Sequence, residues 1–445
     1  MFSLLAAYAD TILVGPFLLI FIVSGIITIL SRGVQFRSLS LVGAIIKQSF
    51  HPSTHSQEEL PPLSSLAMSL STTIGIGNIV GPLVAIGYGG PGTLVGFMLG
   101  TVLGGATTFA EASLSIIYRS KRPDGSIAGG PMSYLGTELG NTWAWIYAFF
   151  GLLLLASWSS SQSNNLAILL ASHGMPLAAS GVILAGLLLF VMLSGVQFIG
   201  EMSKILVPIM FLLYSGSTLW IIIQNAHKLP EVFTLVLQTF FSPQTALGAT
   251  AGIGMSQVIR WGFARAIQTD EIGTGTTAFP HSISSAEPHI QATLATVALY
   301  MNGILCLLSG LCILVTDFWK TPGCAFDITL FGKILAQYYG PWGHIILIAC
   351  ACMFAFGTIV GNCYNGSQCF LFVTKNRWLT WYYYATCCAV LLGAITDMSI
   401  VWGIVDYFVI PVAVPHIIGI LYIAYKHPSI FNLTSKSTVN AQEGQ

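Results

Sequence analysis

The chain is a succession of long apolar stretches parted by short polar ones. Eleven are long enough to count: residues 12–30, 64–87, 92–118, 143–171, 177–193, 205–224, 243–267, 290–315, 345–373, 379–396 and 400–424. A helix crossing a bilayer needs about 20 apolar residues, so each stretch predicts a membrane-spanning helix. The loops between them leave no room for an attached soluble domain. The loop 51–62 and the tail 427–445 are polar and expected to be cytosolic, and the tail, with its Ser, Thr, Asn and Gln, is expected to be disordered. One run breaks the pattern: Leu70-Ser71-Thr72-Thr73-Ile74-Gly75-Ile76-Gly77-Asn78-Ile79-Val80-Gly81. Each Gly costs a helix interior about 1 kcal/mol relative to Ala. At membrane depth, backbone gives up helical bonds only where protein or a water-filled cavity satisfies it. The run therefore predicts a helix broken in the middle and facing a site.

With the first stretch set aside as an extra N-terminal helix, ten remain, five in residues 64–224 and five in 243–424. An odd number of spans per half gives the halves opposite topology. Inverted repeats of this kind build many secondary transporters, with discontinuous helices holding substrate at the repeat interface. The opening helix of the second half should then break too, and Gly248-Ala249-Thr250-Ala251-Gly252-Ile253-Gly254 is the expected place. The competing explanation is two glycine-rich helices packed closely against neighbours.

Composition fixes the class. The chain is 54% hydrophobic and 7% charged, against about 25% charged in soluble domains, and its mean hydropathy is +0.78. Assigning loops alternately puts thirteen of the 16 basic residues on one side, including Arg260 and Arg265. By the positive-inside rule the N-terminus is outside and the C-terminus inside. No basic residue precedes the first span, so it reads as retained rather than as a cleaved signal. The nine cysteines start at Cys306 and lack zinc-ligand spacing, so they read as small apolar helix residues. Zero net charge gives no reason to expect nucleic acid. Metalloprotease, nucleophile-elbow and Walker motifs are absent from the sequence, leaving a hydrolase or ATP-driven pump without a visible site.

A helix broken near Gly75 exposes carbonyls before the break and N–H groups after it. The N–H end is electropositive and suits a carboxylate, and the carbonyls suit a hard cation such as sodium. One broken helix can thus hold an amino acid and its driving ion. Gln162 lies within seven consecutive polar residues, 159–165, of an apolar span, and reads as lining the site. Its neighbours Asn164 and Asn165 read as an interhelical polar cluster. Thr358 and Asn362 are four residues apart and share a helix face. A Thr bonding its own backbone is the alternative for Thr358. Charge at membrane depth is scarce and expensive. Glu111 is expected near the inner boundary, and Asp397 at an external turn. Asp270 and Glu271 are placed after the seventh span, and His281 and His289 in a loop. Asp406 is the candidate for a proton-titrating carboxylate, with a structural contact near a helix end as the alternative.

Together these runs resemble the alanine or glycine:cation symporters, relatives of the amino acid–polyamine–cation superfamily with the leucine-transporter-like fold. Besides the break, the matching runs are Gly89-Gly90-Pro91-Gly92, Phe109-Ala110-Glu111 leading to Tyr118-Arg119, and Gly129-Gly130-Pro131-Met132. Gln162, Val207-Pro208, the loop 265–275 with Glu271, the run 354–361, and Trp402 with Asp406 and Pro415 match as well. The resemblance implies that substrate is bound by Thr73, Gly75, Ile76, Gly77, Asn78, Gln162 and Asn362. It implies a sodium site made from the carbonyls of Ser71 and Ile74 with the hydroxyl of Thr358. Four departures stand out. The family's Gly-Thr-Gly-Asn reads Gly75-Ile76-Gly77-Asn78. Its two hydroxyls on the ninth span become Gly357 and Thr358. Its substrate-facing Trp is Asn362. Its Ser-Asn-Glu-Ala-Gly reads Thr269-Asp270-Glu271-Ile272-Gly273.

The expectation is an all-α polytopic membrane protein of about 11 helices, a 5+5 inverted repeat with one extra N-terminal helix. It forms one transport domain and is not an enzyme. It is expected to import a small neutral, alanine- or glycine-like amino acid with sodium by alternating access, from a bacterial inner membrane. No cofactor is implied beyond the co-transported sodium ion or proton. The partners are a small amino acid and the lipid bilayer. The alternatives are proton coupling with a different or larger amino acid, and a non-transporting amino-acid sensor that kept the pocket.

Overall fold

The computed structural model describes residues 14–38, 43, 59–241, 255–321, 323 and 325–431. Its helices, numbered in chain order, begin with α1 Val14–Leu30, α2 Pro62–Thr73, α3 Gly77–Gly89 and α4 Thr93–Ile117. A two-stranded hairpin follows, β1 Ser120–Lys121 and β2 Ile127–Ala128. Then come α5 Pro131–Glu138, α6 Asn141–Ala171, α7 Leu177–Leu193, α8 Val196–Gln224, α9 Leu229–Phe241, α10 Met255–Asp270, α11 Ala278–Ser282, α12 Pro288–Val315, α13 Ile328–Tyr339, α14 Pro341–Val373, α15 Leu379–Ile395 and α16 Met398–Lys426.

Six of these helices are long and apolar enough to cross a membrane, and α2 with α3 makes a further broken span, bent by 42°. Three shorter apolar helices, Pro16–Leu30, Leu177–Leu193 and Leu379–Ile395, fall where other spans were expected. Several helices open on proline at the first turn, as α2, α12 and α14 do. Proline is at home there because its missing N–H has no intrahelical partner in any case.

The bend between α2 and α3 has a local cause. Ile74 is extended (φ −79°, ψ 90°), and the three residues 74–76 leave the helix. A second break lies further along, between α10 and α11. Glu271, Gly273 and Gly275 there have φ of 56°, 76° and 78°. The left-handed conformation is routine for Gly but unusual for Glu. The break expected at residues 248–254 lies outside the described residues. The break seen here falls about twenty residues later, in the polar run 268–277, where side chains satisfy unwound backbone.

The two broken helices are tied together. The Leu60 N–H donates to Ile283 O at 2.8 Å, and Ser285 N–H donates to Leu60 O at 3.0 Å. This bridge fixes the start of α2 against the end of α11. Around the pair, α4 packs on α10 and α12, and α14 packs on α6 and α2.

Several polar residues sit deeper than their loop-like sequence context implied. Arg265 is inside α10 rather than opening a loop, and Asp270 is the last residue of α10. Glu111 is fully buried within α4 and accepts a hydrogen bond from Thr277 at 2.8 Å. His281 is in α11 and fully buried, and His289 is in the first turn of α12.

Candidate substrate and cation site

The α2–α3 break presents its backbone to two neighbouring helices. On the N–H side, Gly75 donates to Asn78 Oδ1 at 3.1 Å and Ile76 donates to Gln162 Oε1 at 2.9 Å. On the carbonyl side, the Thr358 hydroxyl lies 3.4 Å from Ser71 O and 3.2 Å from Ile74 O. One hydroxyl has a single hydrogen, so it cannot fully satisfy two carbonyls. Three oxygens from α2, its unwound end and α14 therefore converge on one point, a donor set suited to a hard cation.

Glycine at 75 is what permits this approach. A Cβ there would lie 2.8 Å from Thr358 Oγ1 and 2.9 Å from Gln162 Nε2. Gly357 has a related role. A Cβ on it would fall 2.6 Å from Ser71 Oγ, a buried oxygen with no hydrogen-bond partner among the described residues. The Ser71 hydroxyl thus stands in the room that a side chain at 357 would take.

The second break is held by side chains that take up its loose carbonyls. Tyr147 donates to Thr274 O at 2.8 Å, Asn365 to Thr276 O at 3.1 Å, and His416 Nδ1 lies 2.8 Å from Gly273 O. The Glu271 carboxylate turns into its own loop and accepts from the Thr276 hydroxyl. Buried backbone outside a helix is tolerated on these terms.

A polar relay joins the two breaks. The Asn78 amide donates to Asn302 Oδ1. Asn302 in turn donates to Thr269 O at 3.2 Å and to Asp270 Oδ1 at 2.6 Å. Thr101 donates to the other Asp270 oxygen at 2.6 Å, and Ser309 to Asn78 O at 2.8 Å.

Between the breaks lies a small cavity of about 40 Å³. Of the residues singled out from sequence, Thr73, Gly75, Gly77, Asn78, Gln162, Thr358 and Asn362 line it. Ile76 does not line it and is fully buried; it acts through its N–H on Gln162. Ser71 and Ile74 are also off the lining and contribute the carbonyls beside Thr358. Asp406 stands behind the wall, accepting from Gln268 Nε2 at 2.5 Å. Arg265 Nη1 donates to Gln268 Oε1 at 2.7 Å, so Gln268 bridges the two charges. Asn164 reaches Gly393 O and Thr396 O on α15 and its C-terminal end, at 2.8 and 2.7 Å, a contact between helices and not a site residue.

Sequence reasoning missed Trp158, Ser161, Arg265, Gln268, Thr269 and Glu271 on the lining, and Asn302 behind it. Asn302 left one signal: an amide deep inside an otherwise apolar span.

Comparison with known proteins agrees with this architecture. The chain is 31% identical over 428 residues to an uncharacterised transporter of Haemophilus influenzae, covering 94% of this chain and 93% of that one. It is 28% identical over 424 residues to the sodium/alanine symporter of Methanococcus maripaludis, covering 92% of each. In fold it is similar to the manganese transporter of Eremococcus coleocola, with a TM-score of 0.60, 12% identity and 85% of each chain covered. The family and these relatives are membrane transporters, so a multi-pass transporter and not an enzyme is what these helices build. Residues 2–441 match the sodium:alanine symporter family, and the chain belongs to it.

Proposed function

We propose that the protein is a secondary active symporter that imports a neutral amino acid with sodium by alternating access. The carrying observation is the α2–α3 break, which puts N–H donors at one end and converging oxygens at the other beside a single cavity. The substrate carboxylate sits at the start of α3, where N–H groups released from the α-helical ladder and the helix dipole favour an anion. Sodium sits among Ser71 O, Ile74 O, Thr358 Oγ1 and the Ser71 hydroxyl. Binding of both draws α14, α6 and the broken helices together, and the assembly reopens to the other side.

The family and its sodium/alanine symporter relative support this reading. Residues 64–224 and 243–424 are taken as the two inverted repeats and residues 12–30 as an added helix, with the N-terminus outside in a bacterial inner membrane. The test is uptake into proteoliposomes under imposed gradients. An inward sodium gradient should drive accumulation of an amino acid above its external concentration. Accumulation under a pH gradient alone would replace sodium by a proton. Failure of both gradients with every amino acid would leave a sensor and remove the transport reading.

A further inference from the structure

Asn362 on α14 lines the cavity and is fully buried, yet neither its Nδ2 nor its Oδ1 has a hydrogen-bond partner among the described residues. Buried amides are nearly always satisfied, and those that are not call for an explanation. The surroundings do not supply one. The neighbouring Thr72 hydroxyl is committed to Met68 O at 3.0 Å, and Thr358 faces Ser71 O and Ile74 O. Across the cavity, Gln162 gives its Oε1 to Ile76 N–H.

Position adds to this. Asn362 is one helical turn from Thr358, so about 5 Å further along the same face. Asn362 and the residues of the α2–α3 break line one cavity, so a ligand whose carboxylate rests at the break can also meet Asn362. An amide offers one acceptor and two donors. A hydrocarbon side chain satisfies neither end, a carboxylate sets its oxygens against Oδ1, and an ammonium leaves Nδ2 unused. A second primary amide satisfies both, with two antiparallel N–H···O=C bonds.

We infer that Asn362 is a specificity-determining residue and that the transported amino acid carries a side-chain carboxamide, as glutamine and asparagine do; this rests on the amino-acid reading given above.

The experiment is a sodium-containing thermal-shift titration of the purified full-length protein with L-glutamine, L-asparagine, L-glutamate, L-alanine and L-norleucine. Glutamine or asparagine should bind at least tenfold more tightly than norleucine, which has similar length and no polar group, because a site built around a hydrogen bond rejects an analogue lacking it. Asn362→Leu should erase that preference. Asn362→Asp, close in shape, should lose it too and serves if the leucine variant does not fold. Tighter binding of alanine or norleucine than of either carboxamide by the unmodified protein overturns the inference and leaves amino-acid transport standing. So does a carboxamide preference that both variants keep. No shift with any of the five overturns the amino-acid reading and the inference with it.

Discussion

The Ile76 N–H donates to Gln162 Oε1 at 2.9 Å, joining the unwound turn after α2 to the middle of α6. This bond holds in place the N–H group that helical geometry has released. Without a partner, a buried N–H costs about 1–3 kcal/mol. Gln162→Leu removes the acceptor and leaves Ile76 unsatisfied unless ligand or water takes over. Substrate affinity should fall by roughly tenfold to hundredfold, while helix content by circular dichroism stays as in the unmodified protein. Unchanged affinity in an equilibrium binding titration would take Gln162 out of the site.

Thr358 carries the argument for the ion. Its oxygen is the side-chain ligand shared by the Ser71 and Ile74 carbonyls. Thr358→Val keeps the shape and deletes that oxygen. The sodium concentration giving half-maximal uptake should rise about tenfold, in line with the loss of one hydrogen-bond-strength ligand, with a smaller change in substrate affinity at saturating sodium. Ser71→Ala should add to the defect, since the Ser71 hydroxyl fills the space beside Gly357. A variant with unaltered sodium dependence in a radiolabel uptake series would move the cation elsewhere.

The break at residues 74–76 was legible because three glycines and an Asn in an apolar span have no other good reason to be there. Gln162, Thr358 and Asn362 were legible as amides and a hydroxyl stranded among apolar neighbours. The second break was not, because glycine density pointed to residues 248–254. What unwinds the chain at 271–277 is a set of partners from elsewhere in the sequence: Tyr147, Asn365 and His416 taking its carbonyls. Gly273, Gly275 and the polar run around them mark the place, but not the distant partners that satisfy it. For the same reason Arg265 and Gln268 read as loop residues until α10 placed them on the cavity wall.

Asp406 separates two explanations of a half-buried acid. Its oxygen accepts from Gln268, which also takes a hydrogen bond from Arg265. That bridging contact assigns Asp406 to positioning the cavity wall. Asp406→Asn keeps an oxygen acceptor for Gln268, so gradient-driven uptake should persist within a few-fold of the unmodified protein. Asp406→Ala removes the acceptor and should slow uptake more than Asp406→Asn does. If Asp406 were the proton carrier, the Asn variant would abolish uptake driven by a pH gradient, and proteoliposomes with a pH jump would show it.

Asp270 gives the sharpest contrast between losing a charge and losing an acceptor. It is buried, 1% exposed, and receives one hydrogen bond from Thr101 and one from Asn302. Asn302 passes the contact on to Asn78 at the first break. Asp270→Asn keeps an acceptor for Asn302 and turns the other end into a donor. The Thr101 hydroxyl can answer by rotating to accept, since a hydroxyl does both. Stability should therefore stay within about 1 kcal/mol, and coupling between the breaks should survive. Asp270→Leu strands one Asn302 N–H in the protein interior and leaves the Thr101 hydroxyl only Phe97 O, at 3.2 Å. It should cost about 1–3 kcal/mol for the donor left unpaired, and weaken substrate binding through the lost support of Asn302 and Asn78. Thermal unfolding in detergent, with and without substrate, reads both effects. Equal melting temperatures for the Asn and Leu variants would show that the relay does not hold the two breaks together.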